Sequence, residues 1–176
     1  MKVLANIDIV NDGRLQGRIV RLSLVPLAVG AVFCVFLWIA GACETLSLGW
    51  FLTSAAVFAA SLPVHEAVHA AAFKLLVPGC RVSFEVRDWF VATNAHGAVA
   101  PRRSELVVLL APALVVTALL AAVPSLLGFP LFGVVQSFIH LSGCAGDVAM
   151  ALEIAQNLEC THVRDTDNGI DLLKEE

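Results

Sequence analysis

Residues 48–77 read LGWFLTSAAVFAASLPVHEAVHAAAFKLLV. The run is almost wholly apolar, yet its second half carries His65-Glu-Ala-Val-His69. About 20 apolar residues suffice for a helix to cross a bilayer, so this run predicts a membrane span with three ionisable groups inside it. On a helix, residues four apart share a face. His65 and His69 therefore offer two imidazole nitrogens to one metal ion, and Glu66 stands beside them as a base for a water held there. Ionisable groups within a span are costly and mark function. A plainer alternative places the three at a protruding helix end that faces the cytoplasm. Pro63 removes one backbone hydrogen bond and should bend the helix near the motif.

Three more apolar runs lie outward from this one, at 22–42, 106–127 and 130–158. The expected fold is an all-α polytopic membrane protein of about four transmembrane helices, with 1–176 forming a single membrane-embedded domain. Residues 78–105 are the exception. Val82, Phe84 and Val86 alternate with Ser83, Glu85 and Arg87, a period of two that predicts a half-buried strand. Residues 89–93 are its expected partner across a tight Arg87-Asp88 turn, which makes a small β-hairpin between the second and third spans. Residues 3–10 suit a short strand, followed by an Asn11-Asp-Gly13 turn. The polar tail, 159–176, contains Asp165-Thr-Asp167-Asn-Gly169. Its glycine comes one position early for an EF-hand, so this is read as an acidic turn.

The bulk composition agrees with lipid as the solvent. Of 176 residues, 59% are hydrophobic and 15% charged, with a mean hydropathy of +0.84. Soluble domains carry about 25% charged residues. The net charge of −4 and the lack of a basic tract exclude a nucleic-acid partner. The five cysteines are odd in number and irregularly spaced, which gives neither a disulfide framework nor a thiolate zinc site. Cys34 and Cys144 are expected as buried small hydrophobes. Lys and Arg cluster in 1–21, around the hairpin and in the tail. By the positive-inside rule the N-terminal segment, the hairpin and the tail lie in the cytoplasm.

A catalytic zinc usually has three protein ligands and a water. Candidates for the third ligand are Asp147, His140, His96 and His162. His65 lies 17 residues beyond Leu48, and Asp147 lies 17 beyond Pro130. At about 1.5 Å per residue both fall roughly 25 Å from the outer surface. Gly143, Cys144, Ala145 and Gly146 precede Asp147, and small residues let helices approach closely. His140 shares the Asp147 face about 10 Å nearer the outside, as an accessory group or a satisfied interior histidine. His96 sits in Asn94-Ala-His-Gly97, a turn at the end of the hairpin, where it is a second possible accessory group.

Two histidines and a glutamate on one span, with a Gly-Asp on a later one, resemble the site-2-protease clan of intramembrane zinc metalloproteases. More closely, residues 48–172 resemble the putative zincin peptidase family of bacterial membrane proteins. The resemblance implies Zn²⁺ held by His65, His69 and Asp147, with Glu66 as catalytic base. Ala111-Pro112 is similar to the Gly-Pro of the clan's middle helix. Asp147 departs from the clan pattern: it stands in Ser-Gly-Cys-Ala-Gly-Asp-Val rather than in an Asn-Pro…Leu-Asp-Gly context. What the resemblance implies is hydrolysis of a peptide bond in a membrane or membrane-proximal substrate, in the bacterial inner membrane. The rival expectations are an inactive membrane scaffold of the same fold and a metal-handling membrane protein. The length leaves no stretch for a PDZ or CBS domain, so substrate selection is expected from the core or a partner.

Overall fold

A computed structural model of the protein describes residues 1–87, 90–95, 97–166 and 168–176. The chain begins with strand β1 (Lys2–Asp8), followed by helix α1 (Gly13–Ile39). This helix starts well before the apolar run because Asp12 caps it, accepting from Arg14 N at 2.8 Å and Leu15 N at 3.3 Å. It stops where Gly41 takes φ of 67° and Ala42 N–H turns back to Leu37 O at 2.9 Å. Helix α2 (Leu48–Leu76) matches the expected span closely, and Ser47 caps it through Trp50 N.

Next come strands β2 (Ser83–Arg87) and β3 (Phe90–Asn94), paired antiparallel with Ser83 opposite Asn94 and Arg87 opposite Phe90. The expected hairpin is present. Asp88 and Trp89, read from the sequence as turn and strand start, lie outside the described residues. Strand β4 (Val99–Pro101) leads into helix α3 (Arg102–Leu126). The expected fourth span is two helices, α4 (Pro130–Gly143) and α5 (Ala145–Gln156), bent by 51°. The bend falls on Gly143, Cys144, Ala145 and Gly146, where little side-chain bulk supports a straight continuation. Three helices are long and apolar enough to cross a membrane, and four if the bent pair counts as one span.

The all-α expectation does not hold. Strands β5 (His162–Thr166) and β6 (Gly169–Lys174) form a hairpin from the tail. With β1 and β4 they build a four-stranded antiparallel sheet in the order β1-β6-β5-β4. The acidic Asp165–Gly169 stretch is indeed the turn between β5 and β6, with Asp167 outside the described residues. Gly169 is required there: at φ 151° a Cβ would sit 2.0 Å from Ile7 O of the neighbouring strand. One side of the sheet buries Val163, Ile170 and Leu172 with Leu109 of α3 and Ile154 of α5. The sheet therefore ties the N-terminal strand, the segment before α3 and the tail to one end of the bundle.

Packing between helices is tight where glycine allows it. A Cβ on Gly30 of α1 would lie 2.7 Å from the Phe138 Cβ of α4. A Cβ on Gly133 of α4 would lie 2.7 Å from Ala121 O of α3. The outward faces remain apolar: Trp38 and Ile39 are 74% and 75% exposed. Apolar surface on that scale, along a helix of this length, belongs against lipid tails.

Candidate metal centre

The i, i+4 spacing on α2 does what helix geometry requires. His65 and His69 bring their Nε2 atoms to 3.1 Å from each other. The bend after α4 aims the first turn of α5 back at this pair. Asp147 Oδ2 lies 3.2 Å from His65 Nε2, and Asp147 Oδ1 lies 3.6 Å from His69 Nε2. Asp147, His65 and His69 thus meet at one point.

Each imidazole is turned so that Nε2 faces this point. His69 Nδ1–H donates to Val108 O of α3 at 2.9 Å. That carbonyl is available because of a proline. In an α-helix the N–H of residue 112 would bond to the carbonyl of residue 108, and Pro112 has no N–H to give. His65 Nδ1 faces His140 Nε2 at 3.2 Å, and His140 Nδ1 lies 2.9 Å from Thr117 Oγ1. A coherent donor direction runs from His65 to His140 to Thr117. It leaves the Nε2 lone pairs of His65 and His69 facing Asp147.

Glu66 is held from the hairpin. Its Oε2 accepts from Thr93 N of β3 at 2.6 Å, and its backbone oxygen accepts from Thr93 Oγ1 at 2.9 Å. Glu66, His69 and Asp147 line one side of a cavity of about 220 Å³. Glu105 of α3, Ile9 and Val10 in the turn after β1, and the β5–β6 turn line the rest. The turn is fixed to the hairpin segment, since Ala95 N donates to Asp165 Oδ2 at 2.7 Å. The site is thus walled by helices on one side and by sheet and turn on the other.

Among the described residues, two groups of three side chains bring possible ligand atoms within 4.8 Å of one another. One is His65, His69 and Asp147; the other is His65, His140 and Cys144. Two imidazoles and a carboxylate, with Nε2 and oxygen atoms 3.1–3.6 Å apart, suit a divalent ion with bonds of about 2.0–2.2 Å.

His140 stands behind His65, against Nδ1 rather than the Nε2 that faces Asp147. His162 is on β5, with Nδ1 3.1 Å from Thr161 Oγ1, and belongs to neither group. His96 lies outside the described residues. Sequence reading missed Thr93, Thr117 and the Val108 carbonyl. It also read Cys144 only as packing, whereas its buried Sγ lies 3.8 Å from His65 Nδ1 and 3.7 Å from His140 Nδ1. Pro112 in a helix that packs on the motif was the one signal available.

A family model described as "Putative zincin peptidase" matches residues 58–161, more than half of the chain, and the chain belongs to that family. The family points to a zinc metallopeptidase. Comparison with curated proteins and with solved structures gives no match.

Proposed function

We propose that this member of the family is a zinc-dependent intramembrane peptidase of the site-2-protease kind. It hydrolyses a peptide bond in a membrane or membrane-proximal segment. The observation that carries the reading is the meeting of His65, His69 and Asp147 within 3.1–3.6 Å, in a wall shared with Glu66, on helices fit to cross a membrane. His65 and His69 would hold zinc through Nε2 and Asp147 through its carboxylate. Zinc, when bound, supplies Lewis acidity towards a carbonyl and makes a water acidic enough to lose a proton near neutral pH.

The protein's own groups do the rest. Glu66, fixed by Thr93 N–H, accepts the water proton and returns it to the departing amine. Val108 O and His140 hold the imidazoles in the tautomer that leaves Nε2 free to ligate. The substrate enters as an extended segment beside the β2–β3 hairpin, whose edge offers it backbone partners.

The cationic residues of the N-terminal segment, the hairpin and the tail support the reading that the sheet end faces the cytoplasm, and the membrane we propose is a bacterial inner membrane. The four-stranded sheet supports a common side, because the N-terminal strand β1, the strand β4 that follows the hairpin and the tail strands β5 and β6 pair within it.

The test is zinc content and peptide cleavage by the full chain in lipid vesicles with a single-span peptide substrate. Glu66→Gln should retain zinc at about one per chain while cleavage falls at least about 100-fold. Cleavage by Glu66→Gln at the wild-type rate would remove the reading. Zinc without cleavage of any membrane peptide by the wild type would favour the scaffold.

A further inference from the structure

Behind the proposed zinc site, the same histidine reaches a second set of donors. His65 Nδ1 lies 3.2 Å from His140 Nε2 and 3.8 Å from Cys144 Sγ, Cys144 Sγ lies 3.7 Å from the His140 ring at Nδ1, and the three side chains bring one donor atom each within 4.8 Å of one another. A tetrahedral ion with ordinary zinc-like bonds holds two nitrogens about 3.3 Å apart and a nitrogen and a sulfur about 3.6 Å apart. The spacings already present are within a few tenths of an ångström of both. Cys144 and His140 are buried, at 0% and 3% exposure, so the donors face each other rather than solvent. Thr117 Oγ1 engages His140 Nδ1 at 2.9 Å and leaves Nε2 towards the gap, the outer support that ligating histidines receive.

We propose that His65 Nδ1, His140 Nε2 and Cys144 Sγ form a second metal site, for a thiophilic divalent cation, that shuts the first by taking over His65. A neutral imidazole has one lone pair. With the second site empty, His65 carries its proton on Nδ1, donates it to His140 Nε2 and keeps the Nε2 lone pair for the first site. When a cation binds at Nδ1, that proton moves to Nε2 and the Cys144 thiol proton leaves to solvent. The first site then retains only His69 and Asp147. Thiolate with two imidazoles is softer than carboxylate with two imidazoles, so cadmium, cobalt or surplus zinc prefers the inner set more than hard cations do. The second site stands on its own geometry; its effect on the first rests on the reading given under Proposed function.

The test uses the full chain in detergent, stripped of metal and titrated with cobalt while the cobalt–thiolate charge-transfer band is followed. Wild type and His69→Ala should each gain a band equal to about one Co–S bond per chain, and Cys144→Ser and Cys144→Ala should gain none. The two Cys144 variants check each other for misfolding, as both must keep the wild-type circular dichroism. A wild type without the band, or a band of full strength in both variants, overturns the proposal.

A second measurement challenges zinc-loaded protein with an excess of about tenfold cadmium. The wild type should release about one zinc per chain, and the Cys144 variants less than about a tenth of that. Equal release from all three overturns the competition. A Cys144-dependent cobalt band in a protein that binds no zinc at His69 and Asp147 would keep the inner site and remove the peptidase reading.

Discussion

At each end of the bundle a carboxylate is held by backbone N–H groups, and the two ends put it to different use. At the far end Glu44 Oε1 accepts from Leu131 N at 2.9 Å and Phe132 N at 3.5 Å. It caps the start of α4, where the helix dipole favours negative charge. At the sheet end Glu66 Oε2 accepts from Thr93 N at 2.6 Å, but it also faces a cavity shared with His69 and Asp147. A carboxylate in apolar surroundings is therefore no sign of chemistry by itself. What separates the two ends is the set of imidazoles turned towards the second one.

The sharpest way to break this contrast is metal content. In a Cys144→Ser background, where the inner set cannot hold the metal, Asp147→Ala should lower zinc from near one per chain to below about a tenth, an affinity loss of at least about 100-fold. Glu44→Ala should leave zinc unchanged, and mass spectrometry of purified protein separates the two. Next in size is Pro112→Ala. It restores an N–H that competes for the Val108 carbonyl, so His69 loses its outer support. Zinc affinity should fall about tenfold against a competing chelator. Pro124→Ala, in the same helix at the far end, should not alter it.

The third prediction probes packing rather than chemistry. Gly133→Ala pushes a Cβ against Ala121 O and should cost about 1–3 kcal/mol in denaturant unfolding. Gly146→Ala has nothing within 4 Å of its new carbon and should cost little, although it lies beside Asp147. The smallest effect belongs to the sheet. Burial pushes the Asp171 carboxyl up, but Asn6 Nδ2 at 2.7 Å and the Arg164 guanidinium at 3.1 Å outweigh it and hold the carboxyl below its ordinary value. A lowered carboxylate stabilises the fold above about pH 4 and loses that contribution as pH falls through its folded value. Unfolding of wild type against Asp171→Asn over pH 3–6 should show about 1 kcal/mol or less of such acid-dependent loss, absent from the variant.

The helical half of the molecule was legible because its signals are local. Apolar length marked the spans, the four-residue step placed His65 and His69 together, and equal distances from two helix starts matched Asp147 to them. The strand over 3–10 was legible and is β1, but the sheet it joins was not, because β1 and β6 join Lys2 to Lys174 and no local pattern announces that pairing. Charged residues such as Asp165 and Asp171 also hid the tail strands, since their partners, Ala95 N, Asn6 and Arg164, are mostly distant in sequence. The break at Cys144 had its glycines in view, but their reading as a close helix approach left the bend unforeseen. Thr117 and Thr93 became partners only through space.

The pairing of β1 with β6 sets an order of events during synthesis. A chain is made and inserted from its N-terminus, so His65, Glu66, His69, His140, Cys144 and Asp147 all precede the strands that close the sheet. The helices that carry them are all made before the sheet can close. The wall formed by the β5–β6 turn arrives afterwards and must find β1 across the whole length of the chain, a slow step of high contact order. A nascent chain that stops before residue 162 therefore lacks the β5–β6 turn that lines one side of the cavity. The β5–β6 side of the cavity is the last of its walls to be made.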